Sequence, residues 1–252
     1  MMWKTESVQK KTEKQVAFDV NAVLFDFDGV IINSAADIAD AINAMLVRFK
    51  LHPLEEQTVT EFIGDGVRNL VLRAVRMSNK NSFSEISVEK LEEMVSWYQT
   101  YYYNHATEKT TVYQYVPEVL ETLYMLGKRA AVVSNKPKKI TEEILDYFDL
   151  EYYFDTVVGP EQLKAMKPDP EGIALAVRQI NQCNAGNDYF SKITKPSEVL
   201  MIGDSAQDIK AGHSYGAKTC GFLYGLGNTQ KMQAENPDIV ISNIKELLAH
   251  IV

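Results

Sequence analysis

The chain has 252 residues, 46% of them hydrophobic and 24% charged, a globular composition long enough for a large domain or a core with a smaller partner and unlike a disordered segment. A formal net charge of −8, with Lys and Arg scattered rather than massed, argues against a nucleic-acid partner. Cys183 and Cys220 lack CxxC or Cys/His spacing, no apolar run approaches the roughly 18 residues of a membrane span, and the N-terminus has no apolar signal core. The expectation is a cytoplasmic protein in a reducing compartment.

Residues 1–16 are polar and Lys-rich and read as a tail without chemistry. Residues 22–27 form a mostly apolar run ending in Asp26-Phe27-Asp28-Gly29, as expected of a strand buried on both faces that opens into a loop. Similar runs recur at 129–133, 154–158, 198–202 and 218–222, with a further one at 238–241. Helical patterns alternate with them over 117–126, opened by Pro117 and closed by Gly127, over 138–148 and over 171–180, and Ser205 can cap a fourth helix. This alternation predicts right-handed crossovers and an α/β fold, a Rossmann-like parallel sheet with helices on both faces.

Between Ser34 and about Tyr113 the alternation stops and the pattern is helical throughout. Ile38, Ile42, Met45, Leu46 and Phe49 form one apolar stripe, and Val67, Leu70, Val71, Ala74 and Val75 another, with a third helix over 85–105. Such stripes are core rather than cofactor sites. The division expected is a catalytic core of residues 17–33 and 114–252 with an α-helical cap of residues 34–113, interrupted by a turn at Gly64-Asp65-Gly66. Residues 181–195 are polar and irregular and read as a surface insertion.

Four sequence-distant groups fall at the C-terminal ends of predicted strands or in the loops just after them: Asp26 with Asp28, Ser134 with Asn135, Lys167, which follows the run at 154–158, and Asp204 with Asp208. Ligands of open parallel sheets bind outside those ends, so the groups should share a pocket. Carboxylates crowded together repel unless a cation lies between them, and an all-oxygen donor set without His or Cys suits Mg²⁺ rather than zinc. In an extended Asp-x-Asp, the side chains of Asp26 and Asp28 point to the same side. One can then attack phosphorus while the other moves the proton of the leaving oxygen. Gly29 frees the backbone for a close approach, while Ser134 and Lys167 supply a donor and positive charge for phosphoryl oxygens. Taken singly, each piece has a plain reading: surface charge for Asp-x-Asp, a turn for Ser134-Asn135, a helix lead-in for Lys167-Pro168, a capping turn for Gly203-Asp204-Ser205. The joint order at strand ends is what singles them out.

At these residues the chain resembles the haloacid dehalogenase superfamily, through Asp26-Phe27-Asp28-Gly29-Val30, Ser134-Asn135, Lys167-Pro168 and Gly203-Asp204-Ser205 with Asp208. The resemblance implies a phosphatase of a small phosphorylated metabolite with Asp26 as nucleophile and Asp28 as general acid/base. It also implies Mg²⁺ held by Asp26, the Asp28 carbonyl and Asp204, with Asp208 steadying the metal's surroundings. The helical insertion is similar to the superfamily's small α-helical cap. Within the group the chain looks most like phosphoglycolate phosphatases, on Ser34, Ile38, the loop Ile63-Gly64-Asp65-Gly66-Val67-Arg68, Ser134-Asn135-Lys136 and Tyr224-Gly225. Asn33, where an aspartate usually stands, and Gly29-Val30 depart from that pattern. On this reading Asn135, Gly29 and Arg68 touch substrate, Arg68 as a fork for a substrate carboxylate. The alternatives are a phosphosugar mutase of the β-phosphoglucomutase type, against which Ala35-Ala36-Asp37 stands where mutases carry a histidine, and a non-catalytic binding module, which should have lost a motif residue. The oligomeric state, monomer or dimer, stays open.

Overall fold

The computed structural model describes residues 17–79, 86–183 and 195–252. The first strand, β1 (Ala22–Phe25), is completely buried, as its unbroken apolar sequence requires. Its side chains alternate between two cores: Val23 and Phe25 face one, Ala22 and Leu24 the other. After β1 come a short strand, β2 (Ile32–Asn33), and the helices α1 (Ala35–Arg48), α2 (Glu56–Thr60), α3 (Val67–Ser78) and α4 (Val88–His105). Strand β3 (Thr111–Val112) then pairs antiparallel with β2, so entry to and exit from the helical insertion form one two-stranded ribbon.

The α/β alternation resumes with α5 (Val116–Met125), β4 (Arg129–Val133), α6 (Lys138–Tyr147), β5 (Thr156–Val158), α7 (Glu171–Cys183) and β6 (Val199–Gly203). It closes with α8 (Ala206–Tyr215), β7 (Lys218–Phe222), α9 (Thr229–Ala234) and β8 (Ile239–Ile241). Six strands make one parallel sheet in the order β5-β4-β1-β6-β7-β8. The chain leaves β1 toward β4 and later returns to its other side at β6, so the order reverses between β1 and β6. That crevice is where ligands of such sheets bind.

One face of the sheet packs on α5 and α6 through Leu120, Leu123, Ile140 and Ile144, and this core runs on into the insertion through Ile38, Ile42 and Met45. The other face packs on α7 and α8 through Ile173, Ala176, Ile180 and Ala211. Pro117 opens α5 and Gly127, at φ 69°, ends it. The structure extends the helix predicted over 171–180 to Cys183, taking three residues from the expected insertion; residues 184–194 and the tail of residues 1–16 lie outside the described residues. The short helix α2 and the β2–β3 ribbon have no counterpart in the sequence reading, since runs of two to five residues are too short for a period to register.

Candidate active site

Parallel register puts Phe25 beside Val132 and Ile202, so Asp26 stands level with Val133 and Gly203, and Ser134 and Asp204 follow one residue further on at the same edge of the sheet. Three of the expected acids, Asp26, Asp204 and Asp208, are buried together with ligand oxygens all within 4.8 Å of one another. Against them stands Lys167, itself buried, with Nζ 2.9 Å from Asp26 Oδ1 and 2.6 Å from Asp208 Oδ1. Asp26 Oδ1 also accepts the Phe27 N–H at 2.7 Å, which fixes the plane of the carboxylate. Asp204 Oδ2 accepts two main-chain N–H groups, from Leu226 at 2.6 Å and Gly227 at 2.8 Å, in the loop after β7.

This loop packs so tightly that a Cβ at Gly225, or at Gly29 on the opposite side (φ 89°), would run into the Asp204 carboxylate. Glycine at 29 is therefore required twice, by conformation and by space.

Burial, then Asp208 beside it, raises the pKa of Asp26 to about 6 in spite of Lys167. Burial, then Asp26 and Asp208, raises that of Asp204 to about 8 in spite of its two N–H donors. Burial works to lower the Lys167 pKa, yet Asp208 and Asp26 hold it above the ordinary lysine value. One ammonium thus does not balance three buried carboxylates, and a hard dication with oxygen ligands fits the remaining charge.

Asp28 stands apart from this cluster. Its carboxylate accepts Ser34 Oγ at 2.6 Å and Lys136 Nζ at 3.0 and 3.2 Å. Ser34 and Lys136 enter the sequence reading only through the family resemblance and not as site residues; single polar residues near a turn carry no periodic signal, and only the fold aims them. Asp208 Oδ2 accepts the N–H and Oγ of Ser205, closing the first turn of α8. Asn135 spends its amide on the backbone: Nδ2 donates to Gly64 O at 2.8 Å and Lys167 O at 3.2 Å, and Oδ1 accepts Lys167 N–H at 3.1 Å. It ties the insertion's 63–66 turn to the lysine loop. Gln207 on α8 reinforces this tie by donating to Asp65, which also pairs with Arg73.

Above these groups lies an open cavity between sheet and insertion. Asp26, Asp28, Ser134 and Asp204 form its floor, and Ile63, Val67, Leu70, Tyr98 and Tyr103 its apolar roof. Arg68, expected to point here, instead turns outward, with Nε 2.7 Å from Glu92 Oε1 and about half its side chain exposed. Its position at the start of α3 faces the outer side of the neighbouring helix α4.

A family model described as haloacid dehalogenase-like hydrolase matches residues 23–222, which take in the sheet from β1 through β7, the insertion and the cluster. The chain belongs to the haloacid dehalogenase-like hydrolases. Among similar proteins, a phosphoglycolate phosphatase of Haemophilus influenzae is 30% identical over 89% of this hydrolase and 95% of its own length. One of Psychrobacter arcticus is 31% identical over 92% and 96%. The crystal structure of a predicted phosphoglycolate phosphatase from Haemophilus somnus 129pt superposes with a TM-score of 0.82 at 28% identity, covering 91% of this hydrolase and 97% of that chain.

Proposed function

We propose that this phosphatase hydrolyses a small phosphomonoester through a phospho-aspartate on Asp26, assisted by Mg²⁺. The observation that carries the reading is the buried Asp26–Asp204–Asp208 cluster with Lys167, set at the reversal of strand order. Its acids are too crowded for one lysine to neutralise, and phosphoryl transfer is the chemistry that commonly brings magnesium and lysine to one place.

The residues would work as follows. An Asp26 oxygen attacks phosphorus as the bond to the alcohol breaks, and Asp28 gives its proton to the departing oxygen. Asp28 then takes a proton from water, whose oxygen attacks the same phosphorus, releasing inorganic phosphate and restoring the Asp26 carboxylate. Ser134 Oγ and the Lys167 ammonium meet the phosphoryl oxygens, with Lys167 also offsetting the charge of Asp26. Asp26, Asp204 and the Asp28 carbonyl would hold Mg²⁺, which when bound supplies positive charge to the phosphoryl oxygens. Asp208 keeps Lys167 in place.

The names of its relatives make 2-phosphoglycolate the first substrate to assay, and two cysteines without a pairing motif suit action in the cytoplasm. The decisive measurement is acid quenching during turnover of a ³²P-labelled substrate. The protein should carry acid-stable, hydroxylamine-labile label, and Asp26→Asn should carry none; unlabelled wild-type enzyme in active turnover would exclude the covalent route.

A further inference from the structure

Lys136 is a buried lysine that the mechanism above leaves without work. Its ammonium has three N–H donors and faces three acceptors: Asp28 Oδ1 and Oδ2 at 3.0 and 3.2 Å, and Tyr102 Oη at 2.8 Å. It also lies 4.6 Å from the centroid of the Tyr102 ring. Tyr102 belongs to α4 of the helical insertion, whereas Lys136 follows β4 of the sheet. The tyrosine is buried and stacks on Tyr98 at 5.7 Å, so its hydroxyl has a fixed position. Ser34, at the entrance to the insertion, holds the Asp28 Oδ1 from another side at 2.6 Å.

We propose that Lys136 is a positioning residue that couples the helical insertion to proton transfer by Asp28. With Tyr102 in place, all three N–H groups of Lys136 are engaged, and the Asp28 carboxyl is held in one orientation between Lys136 and Ser34. Moving α4 away removes the Tyr102 acceptor, leaves a buried N–H without a partner and frees the Lys136–Asp28 pair to turn. Proton delivery is then competent only while the insertion covers the cavity, which keeps the acid idle when water fills the site. The inference rests on the reading of Asp28 as general acid/base.

The test uses the dependence on leaving group. Benzyl phosphate releases an alkoxide that must be protonated as the P–O bond breaks, while p-nitrophenyl phosphate releases a stable phenolate. The quantity to compare is kcat/KM, because it covers the steps up to departure of the alcohol and excludes the later water step. With Mg²⁺ present, Tyr102→Phe and Lys136→Met should each lose at least tenfold more kcat/KM on benzyl phosphate than on p-nitrophenyl phosphate. In an Asp28→Asn background neither change should widen that gap. Tyr102→Phe retains the ring and its stacking, so the question is still answered if Lys136→Met does not fold. Equal losses on both substrates would show Lys136 serving phosphate binding or packing and would overturn the proposal, as would no loss on either. Wild-type protein that hydrolyses neither ester would instead remove the phosphatase reading itself, and this inference with it.

Discussion

At the scale of single residues, the arrangement turns on charge that the fold leaves unbalanced. Asp26 and Asp204 have folded pKa values above the ordinary 3.8, at about 6 and about 8, because burial and neighbouring acids penalise their ionised forms. A folded protein that binds more protons than the unfolded chain loses stability as pH rises. Metal-free protein should therefore weaken from about pH 4 upward, through about 6 for Asp26 and about 8 for Asp204. A dication relieves that penalty and competes with protons for the same oxygens. Thermal denaturation should show Mg²⁺ raising Tm little at pH 5 and most near pH 8; an increment independent of pH would disconnect metal from these carboxylates. Asp26→Asn should lower kcat by several orders of magnitude while its circular dichroism stays native, since the amide keeps the shape and loses the nucleophile. Turnover above a small fraction of wild type would contradict that role.

At the scale of elements, one tie closes the base of the insertion. Asp37, buried near the start of α1, accepts the N–H groups of Lys109 and Thr110 and the Thr110 hydroxyl, at 2.8–3.0 Å, just before β3. It staples the insertion's first helix to its exit. Asp37→Ala would strand those donors and should cost about 2–4 kcal/mol in urea unfolding; a loss under about 1 kcal/mol would mean that water replaces the carboxylate. Arg68 makes a contrast. Its pair with Glu92 is about half exposed on both sides, so Arg68→Ala should change stability by less than about 0.5 kcal/mol. It should also change kcat/KM for 2-phosphoglycolate less than threefold, and a tenfold fall would show Arg68 turning inward when substrate binds.

For the whole molecule, activity should depend on the metal that completes the cluster. Exhaustive EDTA treatment should abolish hydrolysis of p-nitrophenyl phosphate, Mg²⁺ should restore it, and Ca²⁺ should inhibit. Calcium accepts more ligands at longer distances and would draw both Asp26 oxygens toward itself. Persistence of activity after chelation would sink the metal assignment.

Most of this molecule's frame was legible in the sequence because burial imposes patterns along the chain. The strands at 129–133 and 218–222 appear where the apolar runs predicted them, and the others differ by one or two residues at their ends. A strand covered on both faces must be apolar throughout, and a helix on a sheet must show one apolar face. The polar residues at strand ends were equally visible, since a parallel sheet carries them all to one edge. Tertiary structure alone decided what those residues touch. Asn135 and Arg68 read as substrate contacts; Asn135 does line the cavity while its amide bonds to Gly64 and Lys167 main chain, and Arg68 pairs with Glu92. Lys136 reaches Tyr102, 34 positions earlier in the chain, and the Leu226 and Gly227 amides reach Asp204 across 22 and 23 residues. Hydrophobic periodicity records which face of an element is dry. The partner of a polar side chain depends on a few ångströms between distant segments, a distance set only when helices and sheet pack together.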